Sequence, residues 1–108
     1  LKNKFVLCDI RKEYVDTLRT KGYNAAVDDV RKLSFKDRSF DTVVCSEVLE
    51  HLADPGKGLS EVLRVAKRKA IITLPKGYHD DDFHGWFVDA SIIDGWIVLS
   101  FERRPGNE

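Results

Sequence analysis

The sequence of 108 residues carries 18 basic and 18 acidic side chains, so its formal net charge is zero. A chain without net charge has no overall field to attract nucleic acid or an anionic membrane, although it can still carry a local patch of positive charge. No apolar run approaches the roughly 20 residues of a membrane-spanning helix, and the start of the chain lacks the pattern of a signal peptide.

Strands and a helix alternate in the first third of the chain. Residues 4–8 (KFVLC) form a short apolar run that predicts a buried strand. Residues 11–21 have helical spacing, and Gly22 suits the position that follows the last turn of a helix. Residues 25–27 predict a second short strand, and the charged residues 30–39 predict a turn-rich connection.

The middle of the chain repeats the alternation. Residues 40–45 (FDTVVC) predict a strand with β-branched residues in its middle. A helix is predicted to begin at Asp54 and Pro55, because aspartate is a good N-cap and proline at the first helical position loses no needed hydrogen bond. We expect this helix to end at the basic residues 67–69, where positive charge complements the helix dipole, and a strand to follow at residues 70–74.

The last third of the chain is less regular. Residues 96–101 predict a strand, whereas residues 86–94 fit alternation and helical spacing equally well and stay open between the two. Strands that alternate with helices indicate a parallel sheet built from crossover connections. The predicted fold class is therefore α/β, with a mostly parallel sheet and an antiparallel strand at the C-terminal end.

The two cysteines do not form a disulfide framework. Cys8 and Cys45 each lie at the end of an apolar strand pattern. Two cysteines are too few for a disulfide scaffold, so we interpret both as buried, reduced thiols of a cytoplasmic protein.

Acidic residues follow the predicted strands. Ligands of open α/β sheets bind outside the carboxyl ends of the strands, and an acid at such a place accepts hydrogen bonds from ribose hydroxyls in nucleotide-binding domains. Asp9 directly follows the first strand, and Asp29, with Asp28 as a competitor, follows the second. The alternatives are an aspartate that favours a helix N-terminus at position 9 and a solvated acidic turn at position 29.

A second group of polar residues follows the third strand. Glu47, Glu50 and His51 would share one face of a short helix, because spacings of three and four bring side chains together. With His79 or His84 as a later ligand they would suit a divalent metal ion. The alternative, which we favour, is that they only shape the wall of a pocket.

These motifs together resemble those of class I S-adenosylmethionine-dependent methyltransferases of the type 11-like group. The ordered pieces are DIRKEYV, DVRKLSF, FDTVVCSEVLEH and the closing GWIVLSFERR. The resemblance implies a Rossmann-like methyltransferase fold and S-adenosylmethionine as the cofactor. Small-RNA and quinone O-methyltransferases of this superfamily use E-x-x-E-H with a later histidine as metal ligands, which is the pattern of Glu47, Glu50, His51 and His84. The resemblance implies these cofactor-binding residues: Asp9, Ile10, Asp29, Val30, Cys45, Ser46 and Glu47.

The resemblance fails at the start of the chain. The family's first strand and its glycine-rich turn, which belong between the strands that end at Asp9 and Cys45, do not precede residue 4. The sequence also contains no methionine, so we expect it to be the C-terminal portion of the fold, a single domain over residues 1–108. An upstream segment or a partner chain would complete the sheet, and this chain alone is expected to be inactive. The alternative is an inactive binding or scaffolding domain; the methyl acceptor and the oligomeric state stay open.

Overall fold

The computed structural model describes residues 5–75, 89–93 and 96–102. Strands and helices alternate in it, as the sequence predicts. The chain divides into two compact units, Leu1–Ser34 and Phe35–Glu108. The elements, in chain order, are β1 (Leu7–Asp9), α1 (Lys12–Thr20), β2 (Ala25–Val27), β3 (Phe40–Ser46), a 3₁₀ turn (Leu49–His51), α2 (Pro55–Val65), β4 (Ala66–Pro75), β5 (Asp89–Ile93) and β6 (Trp96–Glu102).

The first unit is a β-α-β arrangement. Strands β1 and β2 are parallel, with Leu7 opposite Ala25 and Asp9 opposite Val27. Helix α1 connects them and is followed by Gly22, whose φ of 92° lies in the left-handed region that favours glycine. The predicted helix end is therefore confirmed.

The second unit is a four-stranded sheet in the order β3-β4-β6-β5. Strands β3 and β4 are parallel, whereas β6 is antiparallel to both β4 and β5. Helix α2 connects β3 to β4 and begins after Asp54, whose side chain accepts a hydrogen bond from the Lys57 amide. The α/β class with an antiparallel C-terminal strand is confirmed.

The core of the second unit lies between α2 and β4. Leu59 and Val62 project from the predicted apolar face of α2 and are each 1% exposed. Ile72 and Leu74 alternate on β4, and Leu49 comes from the 3₁₀ turn; all three are buried. Apolar residues that are three apart on the helix and two apart on the strand therefore form one buried layer.

The predicted end of α2 is wrong. The helix ends at Val65, and the basic residues 67–69 are exposed positions at the start of β4. Lys69 pairs with Thr42 of β3 on one side and with Glu102 of β6 on the other. Because Lys69 has backbone partners in two neighbouring strands, the extended conformation is more stable here than a further turn of helix would be.

Residues 89–93 show which of the two alternatives, strand or helix, holds for part of the range 86–94. They form strand β5, which pairs with β6 from Asp89 opposite Ser100 to Ile93 opposite Trp96. The strand alternative is therefore confirmed for these residues. Residues 86–88, 94 and 95 lie outside the described residues.

Strand β3 has one partner strand, β4, within the described part of the chain. Val44, in the middle of β3, is 64% exposed, although the sequence of this strand is typical of a buried one. The side of β3 away from β4 is therefore an edge, among the described residues, that can accept another strand, whereas the exposed Val44 side chain lies on a face of the sheet. None of the described helices is long and apolar enough to cross a membrane.

We expect Ile72→Ala to lower the free energy of unfolding by about 2–5 kcal/mol, because it removes a side chain that is 0% exposed and leaves a cavity. Val44→Ala on the neighbouring strand should change it by less than about 0.5 kcal/mol, because Val44 is exposed. Urea unfolding followed by circular dichroism measures both. Equal losses in the two variants would contradict the burial difference.

Candidate functional site

Two acidic side chains lie at the carboxyl end of the β1–β2 pair. Asp9 is the last residue of β1, and Asp29 lies two residues beyond the end of β2. The two strand ends are joined because the Asp28 amide donates a hydrogen bond to the Asp9 carbonyl at 3.1 Å. The Asp9 and Asp29 side chains are 27% and 33% exposed, so both carboxylates remain accessible at this edge.

The Asp9 carboxylate is held by Arg11. The Arg11 backbone N–H donates to Oδ1 at 2.8 Å, and its guanidinium donates to Oδ1 at 3.1 Å and to Oδ2 at 3.3 Å. The hydrogen bond from the Arg11 side chain is the main cause that lowers the pKa of Asp9, and the backbone bond acts in the same direction. The Arg11 guanidinium also lies over the Tyr14 ring, 3.5 Å from its centroid.

Asp29 has the same arrangement with Arg31. The Arg31 backbone N–H donates to Oδ1 at 2.9 Å, and the guanidinium donates to both carboxylate oxygens, with the shortest distance 2.6 Å. Neither arginine was among the residues that the sequence singled out. The signal available in the sequence was a repeated Asp-x-Arg, at positions 9–11 and 29–31.

Asp28 and Asp29 have different partners. The Asp28 carboxylate accepts hydrogen bonds from the Ser34 amide and from the Ser34 hydroxyl, the latter at 2.8 Å. It therefore closes the loop that runs from residue 28 to residue 34. The Asp29 backbone takes part in the same loop, because its carbonyl accepts the Lys32 amide at 3.0 Å and its amide donates to Asp28 Oδ1 at 2.9 Å. The Asp29 carboxylate is bound by Arg31 instead, and it stays the predicted ligand contact.

Apolar side chains accompany these acids. Ile10, between Asp9 and Arg11, is 58% exposed, and Val30, between Asp29 and Arg31, is half-buried. An exposed isoleucine beside an oriented carboxylate suits a flat ligand with polar edges. Ile10 and Val30 remain predicted contacts of the site.

The end of β3 carries the predicted residues of the second unit. Cys45 is buried, and the Ser46 hydroxyl lies 2.7 Å from the Thr73 hydroxyl. The Glu47 amide donates to the Thr73 carbonyl at 3.1 Å, and Glu47 has a φ of 57°. A residue other than glycine in the left-handed region stores backbone strain, which concentrates at functional sites.

The predicted short helix with Glu47, Glu50 and His51 on one face is wrong. The 3₁₀ turn spans Leu49–His51, so Glu47 precedes it in a different backbone conformation. The Glu50 side chain is 11% exposed, whereas the His51 side chain is 77% exposed, and Glu50 Oε2 lies 4.0 Å from His51 Nε2. Pairing of Glu47 with β4 prevents the helix from starting earlier.

A metal site is not formed by the described residues alone. Within residues 5–75, 89–93 and 96–102 no group of three or more metal-ligating side chains is close enough to hold an ion. His79 and His84 lie outside the described residues, so the metal hypothesis on Glu47, Glu50, His51 and His84 stays a prediction.

Glu50 is the unusual carboxylate of the second unit. Its Oε1 atom is buried and has no hydrogen-bond partner in the described part of the chain. Burial raises the pKa of the Cys45 thiol to about 12, and the charge of Glu50 acts in the same direction. Cys45 is therefore neutral at physiological pH and is not a nucleophile in this state.

The sequence matches the family described as "Methyltransferase domain" over residues 1–74. The chain belongs to this methyltransferase family. The resemblance is therefore confirmed for the motifs that lie within residues 1–74. Comparison with curated protein sequences gives no match.

Solved structures are similar in fold to this methyltransferase domain. Magnesium protoporphyrin IX methyltransferase from Synechocystis, with bound SAM, has a TM-score of 0.73 and 20% identity over 92% of this chain and 59% of its own. A SAM-dependent methyltransferase from Thermotoga maritima has a TM-score of 0.59 and 21% identity over 64% of this chain and 34% of its own. A chain from the complex that contains the Haloferax volcanii Trm112 methyltransferase activator has a TM-score of 0.59 and 26% identity over 66% of this chain and 34% of its own. This domain thus spans about a third of the length of the last two.

The two cysteines differ in accessibility. Both are free, but Cys8 is exposed, so the interpretation of both as buried thiols is wrong for Cys8. The side chains of β1 alternate between exposed and half-buried positions, and Cys8 occupies the exposed one.

We expect Cys8 to react first with a thiol reagent under native conditions at pH 8, while Cys45 stays unmodified because its pKa is about 12 and it is buried. Mass spectrometry of tryptic peptides after timed labelling measures this order. Cys8→Ser should abolish the fast phase, and Cys45→Ser should leave it unchanged. Fast labelling of Cys45 would contradict its burial.

We expect titration with Zn²⁺, Mn²⁺ or Mg²⁺ to show no specific, stoichiometric binding to this chain. The reason is that Glu50 and His51 differ in exposure and Glu47 lies outside their turn. Calorimetric titration measures this, with Glu13→Gln on helix α1 as the control. A stoichiometric site that Glu50→Gln abolishes and Glu13→Gln retains would restore the metal hypothesis.

Proposed function

We propose that this methyltransferase domain takes part in the transfer of a methyl group from S-adenosylmethionine to an acceptor, as part of a longer chain or an assembly. The observation that supports this most is the pair of oriented carboxylates, Asp9 and Asp29, at one end of the parallel β1–β2 pair. Family membership over residues 1–74 and the methyltransferases of similar fold support it further. The identity of the acceptor is left open by this proposal.

The first unit has the chemistry that the adenosine part of the cofactor requires. The Asp9 carboxylate would accept hydrogen bonds from the ribose hydroxyls, and the Asp29 carboxylate would accept one from the exocyclic amine of adenine. The exposed Ile10 and the half-buried Val30 would lie against the flat faces of the ligand. The hydroxyl and amine donors of adenosine would therefore each find a carboxylate acceptor in this unit.

The second unit carries three further residues of this proposal. S-adenosylmethionine supplies a methyl group on a positively charged sulfur when it is bound. Cys45, Ser46 and Glu47 follow the carboxyl end of β3, and the strained backbone at Glu47 is held by the Thr73 carbonyl. Their role is to hold the ligand in place, because methyl transfer depends mainly on the alignment of the two reactants.

A further strand completes the sheet in this proposal. β3 has one partner strand in the described residues, so another strand could pair with the backbone at its other edge. We call the chain together with the upstream segment or partner chain that supplies this strand the completed protein. One chain of similar fold comes from a complex that contains the Haloferax volcanii Trm112 methyltransferase activator, which makes a partner plausible here. The free thiols of Cys8 and Cys45 suit the reducing cytoplasm.

The second candidate is a binding or scaffolding domain without methyl transfer. The edge of β3 that has no partner strand among the described residues favours it, because such an edge is also a surface for another protein chain. The two candidates differ in their affinity for S-adenosylmethionine once the sheet is complete.

We expect calorimetry with S-adenosylmethionine to show weak or no binding to this chain and clear binding to the completed protein. Asp9→Ala should weaken binding about tenfold or more, because a buried ligand hydroxyl would lose its charged acceptor. Asp16→Ala, which removes an exposed carboxylate paired with Lys12 on α1, is the matched control and should have no effect.

Tight binding by the bare chain would show that the additional strand is not needed. Absence of binding by the completed protein would refute the proposed function and favour the scaffolding candidate. Equal losses in Asp9→Ala and Asp16→Ala would refute the assignment of Asp9.

A further inference from the structure

The two candidate acids share a local structure that their family membership does not require. Each is followed two residues later by an arginine whose backbone N–H donates to Oδ1, at 2.8 Å for Asp9 and 2.9 Å for Asp29. In each, the guanidinium of that same arginine also donates to both carboxylate oxygens. The same arrangement therefore occurs at the ends of two adjacent parallel strands.

These ion pairs are poorly placed to stabilise the fold. The Arg11 and Arg31 side chains are 51% and 56% exposed, and exposed ion pairs contribute little to folding stability. What the pairs do fix is the direction of the carboxylate, since a backbone donor and a planar guanidinium act on it together. Orientation is therefore the better explanation of the repeated motif.

We propose that Arg11 and Arg31 are positioning residues, which hold the carboxylates of Asp9 and Asp29 in one orientation for the ribose and the adenine of S-adenosylmethionine. The inference rests on the proposed function and deepens it. A carboxylate that is oriented before binding loses less conformational freedom when the ligand arrives, so a larger share of the interaction energy appears as affinity.

The geometry also indicates that Arg11 does not have to leave before the ligand binds. Its donors reach Asp9 Oδ1 twice and Oδ2 once, and the bond to Oδ2 is the longest, at 3.3 Å. A carboxylate oxygen accepts about two hydrogen bonds, so Oδ2, which accepts one from Arg11, is the oxygen at which we expect the ribose hydroxyl. The Tyr14 ring, 3.5 Å from the guanidinium, holds Arg11 on its side of the carboxylate.

Arg11 also influences the protonation of its partner. Its side-chain hydrogen bond, followed by its backbone bond, lowers the pKa of Asp9. The charged groups near Asp9 are Arg11 before α1 and Asp28 at the end of β2, whose amide donates to the Asp9 carbonyl. Because the folded pKa is depressed, the charged acceptor persists as the pH falls through the ordinary aspartate range. Without Arg11 it would be lost at a higher pH.

The first experiment needs no ligand. Side-chain NMR couplings and carboxyl ¹³C titrations of Asp9 and Asp29 are compared among wild type, Arg11→Gln, Arg31→Gln and the matched controls Lys12→Gln and Lys32→Gln. Each control removes the same charge from the neighbouring residue. We expect averaged side-chain rotamers and a raised pKa for Asp9 only in Arg11→Gln, and averaged rotamers for Asp29 only in Arg31→Gln. Unchanged rotamers in both arginine variants would overturn the proposal.

The second experiment measures the affinity of the completed protein for S-adenosylmethionine. We expect Arg11→Gln and Arg31→Gln each to weaken it about fivefold, the size of a partly exposed ion pair. Arg11→Lys should recover part of the loss, because it keeps the charge but not the fork, and Lys12→Gln and Lys32→Gln should have no effect. Tighter binding by Arg11→Gln would show that Arg11 competes with the ligand and would overturn the proposal.

An Asp9→Asn variant separates this inference from the proposed function. If Asp9→Asn weakens binding and Arg11→Gln does not, the positioning role fails and the proposed function stands. If Asp9→Asn has no effect, the assignment of Asp9 in the proposed function fails. If the completed wild-type protein does not bind at all, the proposed function fails, and the ligand-free measurements still decide whether the arginines orient the carboxylates.

Discussion

The second unit depends on the parallel pairing of β3 with β4. This pairing continues from Thr42 opposite Lys69 to Ser46 opposite Thr73, and Thr73 then accepts the Glu47 amide. It therefore sets the backbone at the end of β3, where Glu47 adopts a positive φ. The same pairing includes Ala66 opposite Phe40, so the chain is already extended directly after α2 ends at Val65. One set of backbone hydrogen bonds thus decides both a helix boundary and the geometry of a candidate site.

Elements defined by local signals could be predicted from the sequence. Gly22 and Asp54 mark helix ends through their own backbone and side-chain chemistry, and β2 occupies the predicted residues 25–27. The start of β4 and the 3₁₀ turn could not be predicted in this way. The reason is that residues 66–69 adopt an extended conformation through partners in β3 and β6, which are distant in sequence. Helical spacing alone carries no information about such partners.

The sequence could predict that the candidate site lies at the ends of strands, but not which contacts its side chains make. The rule that ligands bind at carboxyl ends of parallel strands led to Asp9 and Asp29, which do lie at the same end of the β1–β2 pair. The choice between Asp28 and Asp29 needed the structure, because only the contacts with Ser34 show that Asp28 closes a loop. The arginine partners were visible in the sequence as a repeated Asp-x-Arg, but the spacing alone does not show that each arginine contacts the carboxylate.

The small size of the first unit links its stability to its proposed role. Its two strands have three residues each and pack against one helix, α1, and so small a unit is marginally stable in water. The acids that would bind adenosine lie on this marginal element, whereas Cys45, Ser46 and Glu47 lie on the more extensive sheet of the second unit. Added strands and a bound ligand would each favour the folded form of the first unit, since anything that binds only the folded state stabilises it. Sheet completion and cofactor binding are therefore expected to reinforce each other, and short Asp-Arg contacts suit such an element because they form within three residues and do not depend on distant packing.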